Sequence, residues 1–92
     1  MNVVFKPKFR RDIDKINNRE LLTALQDKIA QVKKAEDKSI ITGLKLLRGY
    51  THQYRISVKT DKQSYRIGAV IRKNTILFVR FLPRKIIYKE FP

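Results

Sequence analysis

The side chains best suited to chemistry in this sequence are basic residues that alternate with apolar ones in its second half. Arg55, Ser57 and Lys59 occupy every second position of one apolar stretch, and Arg66 lies in the next one. Successive side chains of a strand point to opposite faces of a sheet, so these residues are expected to gather on the face turned away from the core. The pattern predicts a positively charged sheet face that binds an anionic partner.

The charge of the whole chain supports this prediction. The 92 residues include 22 Lys and Arg against 8 Asp and Glu, a formal net charge of +14. Residues 1–44 carry ten basic and six acidic side chains, whereas residues 45–92 carry twelve and two. A positive field concentrates polyanions, which indicates nucleic acid first, an acidic protein second and an anionic membrane surface third.

Other function classes are excluded by residues that the chain lacks. It contains no Cys, so disulfides and Cys-ligated zinc or iron–sulfur sites are excluded. His52, the single His, is predicted to be a loop residue and cannot build a His-rich metal site, so no metal or cofactor is expected. No window approaches 18 apolar residues, and we therefore predict a cytoplasmic chain without a signal peptide or membrane span.

The elements that must position the basic residues follow from hydrophobic spacing. A first strand is predicted over residues 2–6, and Pro7 suits the first turn of the helix that follows it. A second, longer helix is predicted to start at a capping box formed by Asn17 and Glu20 and to run to about residue 36. Alternating residues then predict three strands over residues 54–59, 65–72 and 75–82.

The resulting order is β-α-α-β-β-β, which predicts an α+β fold. We expect a two-layer sandwich in which a helical hairpin packs on one face of an antiparallel sheet and the other face stays open. The length allows one modest core, so residues 1–92 are predicted to form a single domain. Pro83 ends the last strand, and the sequence predicts no definite structure for the segment from Arg84 to Phe91.

Three segments together resemble the RelE/ParE superfamily of bacterial toxin–antitoxin modules. The segment Leu44–Gly49 (LKLLRG) is similar to the segment with which the family's chain enters the sheet. The pair YRI at 54–56 and SYRI at 64–67 is similar to its central hairpin, and FVRFLPRKIIY at 78–88 is similar to its closing signature. The predicted order of elements is also that of the family, so the resemblance covers essentially the whole chain.

The resemblance implies a toxin held inactive by an acidic antitoxin and, in the RelE-like branch, a ribosome-dependent endoribonuclease that cuts mRNA. It implies phosphate contact for Arg55, transition-state stabilisation for Arg66 and a phosphate ligand or proton donor in Arg84. Tyr88 matches the closing tyrosine, which is expected to stack on a base or orient the scissile phosphate. Further contacts with RNA or the ribosome are expected at Lys45, Arg48, Lys59, Arg80 and Lys85.

The implied reaction needs no metal. The RNA 2′-OH attacks the neighbouring phosphorus, and guanidinium groups, which are planar, always charged and bidentate, neutralise the charge that develops there. Ser57 stands where the ribonuclease prototype of the family has a second lysine, so the general base is not identified. Lys59, on the same predicted strand face, is the candidate substitute.

Two other functions stay open at this stage. One is a ParE-like toxin that inhibits DNA gyrase by protein binding, and the other is a family member that keeps the fold without catalysis. Since the ParE-like branch generally lacks the arginine and tyrosine set, the presence of that set favours the enzyme.

Overall fold

The computed structural model describes residues 1–92 as three α-helices and five β-strands. The helices are α1 (Pro7–Asp14), α2 (Arg19–Lys34) and α3 (Arg84–Glu90), and a short 3-10 turn occupies Lys38–Ile40. The strands are β1 (Asn2–Phe5), β2 (Leu44–Leu46), β3 (Gln53–Lys59), β4 (Ser64–Arg72) and β5 (Thr75–Pro83). None of the helices is both long and apolar enough to cross a membrane.

The five strands form one mixed sheet in the order β1-β5-β4-β3-β2. Strands β2 to β5 pair as an antiparallel meander, whereas β1 pairs with β5 in parallel. The predicted α+β class is confirmed, but the prediction of a purely antiparallel sheet is wrong. The reason is that the α1–α2 hairpin separates β1 from the meander and returns the chain to the opposite edge, which leaves β1 beside the last strand.

The two long helices begin where local chemistry favours a start. Pro7 occupies the first turn of α1, where its missing N–H costs no hydrogen bond. The side chain of Asn18 caps α2, because its Oδ1 accepts a hydrogen bond from the backbone N–H of Leu21 at 2.9 Å. The predicted capping box at Asn17 is therefore wrong by one residue, and Glu20 serves instead as an acidic residue in the first turn.

The main core lies between these helices and one face of the sheet. Its aromatic centre is formed by Phe5, Phe9 and Phe78, whose ring centroids lie 5.3 to 5.7 Å apart. Tyr65 packs on this side too, with its ring centroid 4.9 Å from that of Phe81. Tyr65 thus faces the core, which turns its neighbour Arg66 toward the opposite face.

The second face of the sheet is only partly open. Helix α3 packs across β4 and β5, where Ile87 and Phe91 form a small apolar cluster with Leu47. Gly68 leaves room for this helix, since a Cβ at that position would lie 2.6 Å from Cγ of Phe91. The segment after Pro83 is therefore a helix that covers half of a face that the two-layer prediction left bare.

A buried ion pair joins α1 to β5. Asp12 is 6% exposed and accepts hydrogen bonds from Nε and Nη2 of Arg80 at 2.8 and 3.1 Å. Its carboxylate also accepts the backbone N–H of Phe81 at 2.9 Å. A register shift in the β4–β5 ladder accompanies this contact, since Gly68 pairs with Arg80 but Ala69 pairs with Phe78.

Candidate functional site

A cleft of about 340 Å³ opens between the uncovered part of the sheet and helix α3. We name it the arginine cleft. Its floor is formed by strands β2, β3 and β4, and its wall by the first and second turns of α3. The cleft is lined by Gly43, Leu44, Lys45, Arg55, Ser57, Arg66, Arg84 and Tyr88.

Strand register brings four of these residues together on the floor. Arg55 of β3 lies opposite Lys45 of β2, and Ser57 lies opposite Arg66 of β4. Residues directly opposite each other in a ladder share a face, and so do residues two apart along one strand. The predicted gathering of Arg55, Ser57 and Arg66 on one sheet face is confirmed.

Two further residues that line the cleft come from α3. Arg84 and Tyr88 are four positions apart, so they lie one above the other on the same helix face. Ile87 and Phe91 are also four positions apart, and they bury the adjacent face against the sheet. The apolar contacts of α3 with the sheet therefore hold Arg84 and Tyr88 over the cleft.

The wall and floor meet at a contact between Arg55 and Tyr88. The guanidinium carbon of Arg55 lies 4.2 Å from the centroid of the Tyr88 ring. A cation this close to an aromatic face is attracted by the ring, by about 0.5–1 kcal/mol at an exposed site. One face of Tyr88 is thus occupied by Arg55, and the side chain, 55% exposed, offers its other face to solvent.

Arg66 is held in place by neutral oxygen atoms. Its Nη1 donates to Oγ of Ser64 and to the backbone carbonyl of Tyr65, both at 3.2 Å. Burial lowers the pKa of Arg66 below its ordinary value, and the positive charges of Arg84 and Arg55 lower it further. A guanidinium remains charged at physiological pH despite such shifts, so Arg66 brings an uncancelled positive charge to the cleft.

The same charges act on the phenol of Tyr88. Its pKa is lowered from the ordinary value of 10.0, first by its interaction with the Arg84 guanidinium and then by the positive charge of Arg55. Nearby cations favour the phenolate because it is the charged form of the side chain. The surrounding charges therefore make the proton of the Tyr88 hydroxyl easier to remove.

The cleft contains no acidic side chain to balance its cations. Neither Asp nor Glu lines it, and the one salt bridge in the structure joins Arg80 to Asp12 in a different place. No group of three or more His, Cys, Asp or Glu residues is arranged to hold a metal ion. A concave site with unpaired guanidinium groups is suited to an anion that accepts several hydrogen bonds at once, as a phosphate does.

Comparison with known proteins supports the resemblance carried by these residues. No family profile matches the chain. The chain is 45% identical over 49 residues to the toxin RelE3 of Methanocaldococcus jannaschii, a match that covers 53% of this chain and 51% of that protein. Its fold matches a chain of a RelB–RelE antitoxin–toxin complex from Methanococcus jannaschii with a TM-score of 0.74 and 27% identity.

The chain is similar to RelE toxins in sequence and in fold. The structural match covers 97% of the chain and 99% of its counterpart, although the chain spans only about half the length of the curated relative in the sequence match. A conserved hypothetical protein from Helicobacter pylori shares the fold alone, with a TM-score of 0.56 and 13% identity over 92% of this chain and 96% of that one.

In the RelE-like fold the remaining predicted contact residues lie in different places. Lys45 lines the arginine cleft, whereas Lys59 lines a neighbouring groove and not the cleft. Arg48, after β2, and Lys85, on α3, are exposed and line neither cavity. Arg80 is bound to the Asp12 carboxylate and does not reach the cleft.

Sequence reasoning missed Gly43 and Leu44 as cleft residues. Gly43 has a φ of +78°, a conformation that favours glycine, and its carbonyl accepts the backbone N–H of Ser57 at 3.1 Å. A glycine just before the LKLL segment was the available signal for a tight turn into β2. His52 is a partly buried loop residue, as predicted, with Nδ1 3.2 Å from the carbonyl oxygen of Ile71.

Proposed function

We propose that this chain is the toxin of a type II toxin–antitoxin pair and acts as a ribosome-dependent mRNA endoribonuclease. One observation carries the proposal: three guanidinium groups and a tyrosine meet in one cleft that contains no acid. The likeness to the toxin RelE3 and to a chain of a solved RelB–RelE complex supports it.

The residues of the cleft suit cleavage by the RNA itself. The 2′ oxygen forms a bond to the adjacent phosphorus, and the bond from phosphorus to the 5′ oxygen of the next nucleotide breaks. The products are a 2′,3′-cyclic phosphate and a free 5′-OH. Arg66 and Arg84 neutralise the additional negative charge on the phosphorane, and Arg55 binds the same phosphate from the strand below.

The proton of the 2′-OH requires an acceptor in the cleft. Lys59, the substitute suggested by the sequence, lines the neighbouring groove, and Ser57 has a hydroxyl that does not ionise at physiological pH. The pKa of Tyr88 is drawn down by the Arg84 and Arg55 guanidinium groups. We assign the proton acceptor to the phenolate form of Tyr88, and the departing 5′ oxygen, stabilised by the charge of Arg84, takes its proton from solvent water.

The proposed partner is an acidic antitoxin that covers the basic half of the chain. The formal net charge of +14 makes the isolated chain repel itself, and an acidic segment would relieve this repulsion. The solved structure that this chain resembles, an antitoxin–toxin complex of RelB and RelE, supports a partner of this kind.

The test is to induce the chain in bacteria and map the 5′ ends of cellular mRNA. We expect cuts phased to codons in the presence of the wild type, and their loss in an Arg66→Ala, Arg84→Ala double variant. The matched control is Arg72→Ala with Lys89→Ala, one exposed basic residue on β4 and one on α3, neither of which lines the cleft. Growth arrest with intact transcripts would instead indicate a toxin that acts by binding protein, as gyrase inhibitors do. Normal growth of cells that produce the unpaired chain would indicate a member that keeps only the fold.

A further inference from the structure

A second groove adjoins the arginine cleft across a ridge. We name it the lysine groove, after Lys28 and Lys59 on its walls, and its volume is about 600 Å³. Gly43 and Ser57 line both cavities, so the two adjoin along a ridge formed by these residues. Gly43 adds no side chain to this ridge, and a Cβ there would lie 3.1 Å from Cβ of Ser57.

Lys28 is fixed at the wall of this groove by neutral oxygen atoms. Its Nζ donates to the carbonyl and hydroxyl oxygens of Thr42, both at 2.8 Å, and to Oε1 of Gln31 at 3.1 Å. The Thr42 hydroxyl in turn donates to Gln31 at 3.2 Å. Burial lowers the pKa of Lys28, and no carboxylate is paired with it, so its positive charge is left available to an anion.

Lys59 provides the free cation of the groove. It is exposed, lies two residues beyond Ser57 on the same face of β3, and makes no ion pair. A strand rises about 3.4 Å per residue, so Lys59 lies roughly 7 Å beyond the ridge and about 14 Å beyond Arg55. A chain of phosphates that leaves the arginine cleft over the ridge meets Lys59 next.

Acidic residues limit how far this track extends. Asp27 lines the lysine groove on the α2 side, and a third depression beyond Lys59 adds two carboxylates, Glu20 and Asp61, against one further cation, Arg19. Carboxylates repel phosphates, so the favourable region ends at Lys59. Lys59 is therefore the cation that a phosphate meets beyond the cleft before the carboxylates begin.

We propose that the lysine groove is a subsite for the RNA nucleotide adjoining the cleaved phosphodiester, and that Lys59 binds its phosphate. The proposal rests on the RNA substrate of the proposed function, but binding by this groove needs neither cleavage nor a ribosome. Lys28 supports the same phosphate with its charge, and Gln31 and Thr42 offer hydrogen-bonding groups to the attached nucleotide.

The test uses a fluorescently labelled single-stranded oligouridylate and measures its affinity for the full chain by anisotropy at several salt concentrations. Each phosphate contact to single-stranded RNA contributes about 0.7 to the slope of log affinity against log salt. We expect Lys59→Gln to reduce the slope by about 0.7, which makes the loss of affinity between 50 and 200 mM salt smaller by roughly 2.6-fold. The matched control is Lys62→Gln, an exposed lysine in the β3–β4 turn that lines none of the three depressions.

Equal slopes for the Lys59 and Lys62 variants would overturn the subsite. The subsite would also be overturned if Lys59→Gln reduced the salt slope only with an acidic polyglutamate peptide as the probe. The groove would then bind a protein partner. Intact mRNA in cells together with a reduced slope for Lys59→Gln would refute the nuclease while leaving the subsite in place. The two proposals can therefore fail separately.

Discussion

Gly68→Ala is expected to strain or displace helix α3, which forms the wall of the arginine cleft. The added Cβ would lie 2.6, 2.8 and 2.9 Å from three ring atoms of Phe91, which is closer than real side chains approach each other. Phe91 is 7% exposed and Ile87 is fully buried, so the helix cannot shift without losing apolar contacts. Either the added methyl group is accommodated by strain or Phe91 leaves its site.

Both outcomes are expected to lower the free energy of unfolding by a similar amount. Overpacking a filled site costs about 1–3 kcal/mol, and exposing a side chain the size of Phe91 costs about 1.5–3 kcal/mol. We therefore expect Gly68→Ala to lower the free energy of unfolding by about 2 kcal/mol in urea denaturation. Because α3 carries Arg84 and Tyr88, mRNA cleavage by the variant should fall more steeply than its stability alone explains.

A double-mutant cycle isolates the contact itself. Phe91→Ala alone should cost about 3 kcal/mol, but in its presence the added methyl group has space, so Gly68→Ala should then cost less than about 0.5 kcal/mol. Gly49→Asn is the control, since a Cβ at Gly49 has no neighbour within 4 Å and only the positive φ of +85° strains the new side chain, an effect that does not depend on Phe91. Additive costs within about 0.5 kcal/mol would refute the reasoning that Gly68 is required by Phe91.

Three further perturbations test the elements around the cleft. Asp12→Asn should lower the free energy of unfolding by about 3 kcal/mol, because Arg80 loses a buried partner, whereas exposed Asp14→Asn should change it little in the same urea titration. Asn18→Ala should cost about 1 kcal/mol by the same measurement, since the first turn of α2 loses its cap. Arg84→Gln should raise the pKa of Tyr88 toward its ordinary value, as followed by phenolate absorbance against pH. Since the folded state favours the phenolate, wild-type stability should gain from Tyr88 as pH rises through its lowered pKa, and this gain should shrink in Arg84→Gln.

The strands of the meander could be predicted because alternation is a local signal. Residues 54–59, 65–72 and 75–82 lie within β3, β4 and β5, and the shared face of Arg55 and Arg66 follows from their parity. Strand β2 has only three residues, which is too short for alternation to be distinguished from chance. The parallel pairing of β1 with β5 has no local signal at all, because the two strands are far apart in sequence.

The different roles of Arg66 and Arg80 could not be predicted from the sequence, because the residue that distinguishes them is distant in the chain. Arg80 and Arg66 both lie in apolar strands, and nothing in their neighbours distinguishes them. Asp12, which is 68 residues away in sequence, removes Arg80 from the candidate set. Helix α3 has only seven residues, so the spacing of Ile87 and Phe91 was too short a pattern to predict it.

The partners of each cation explain why one face of the sheet is suited to anions. Arg80 is bound to a carboxylate, so its charge is cancelled and it serves to join α1 to β5. Arg66 and Lys28 are held by hydroxyl, carbonyl and amide oxygens, and Arg55 is held by the ring of Tyr88. Neutral partners orient a cation without cancelling its charge.

This arrangement links the fold to the proposed chemistry. The orienting contacts hold the side chains in the cleft at defined positions, so less conformational entropy is lost when a phosphate binds. The uncancelled charges repel one another in the free chain, and a phosphate that enters the cleft removes that repulsion while gaining charge-assisted hydrogen bonds. The trigonal-bipyramidal phosphorane carries more negative charge than the phosphodiester, so the same cations stabilise it more strongly than the ground state. A cleft with positioned guanidinium groups and no acid therefore favours the transition state over the bound RNA, which is what catalysis at this site requires.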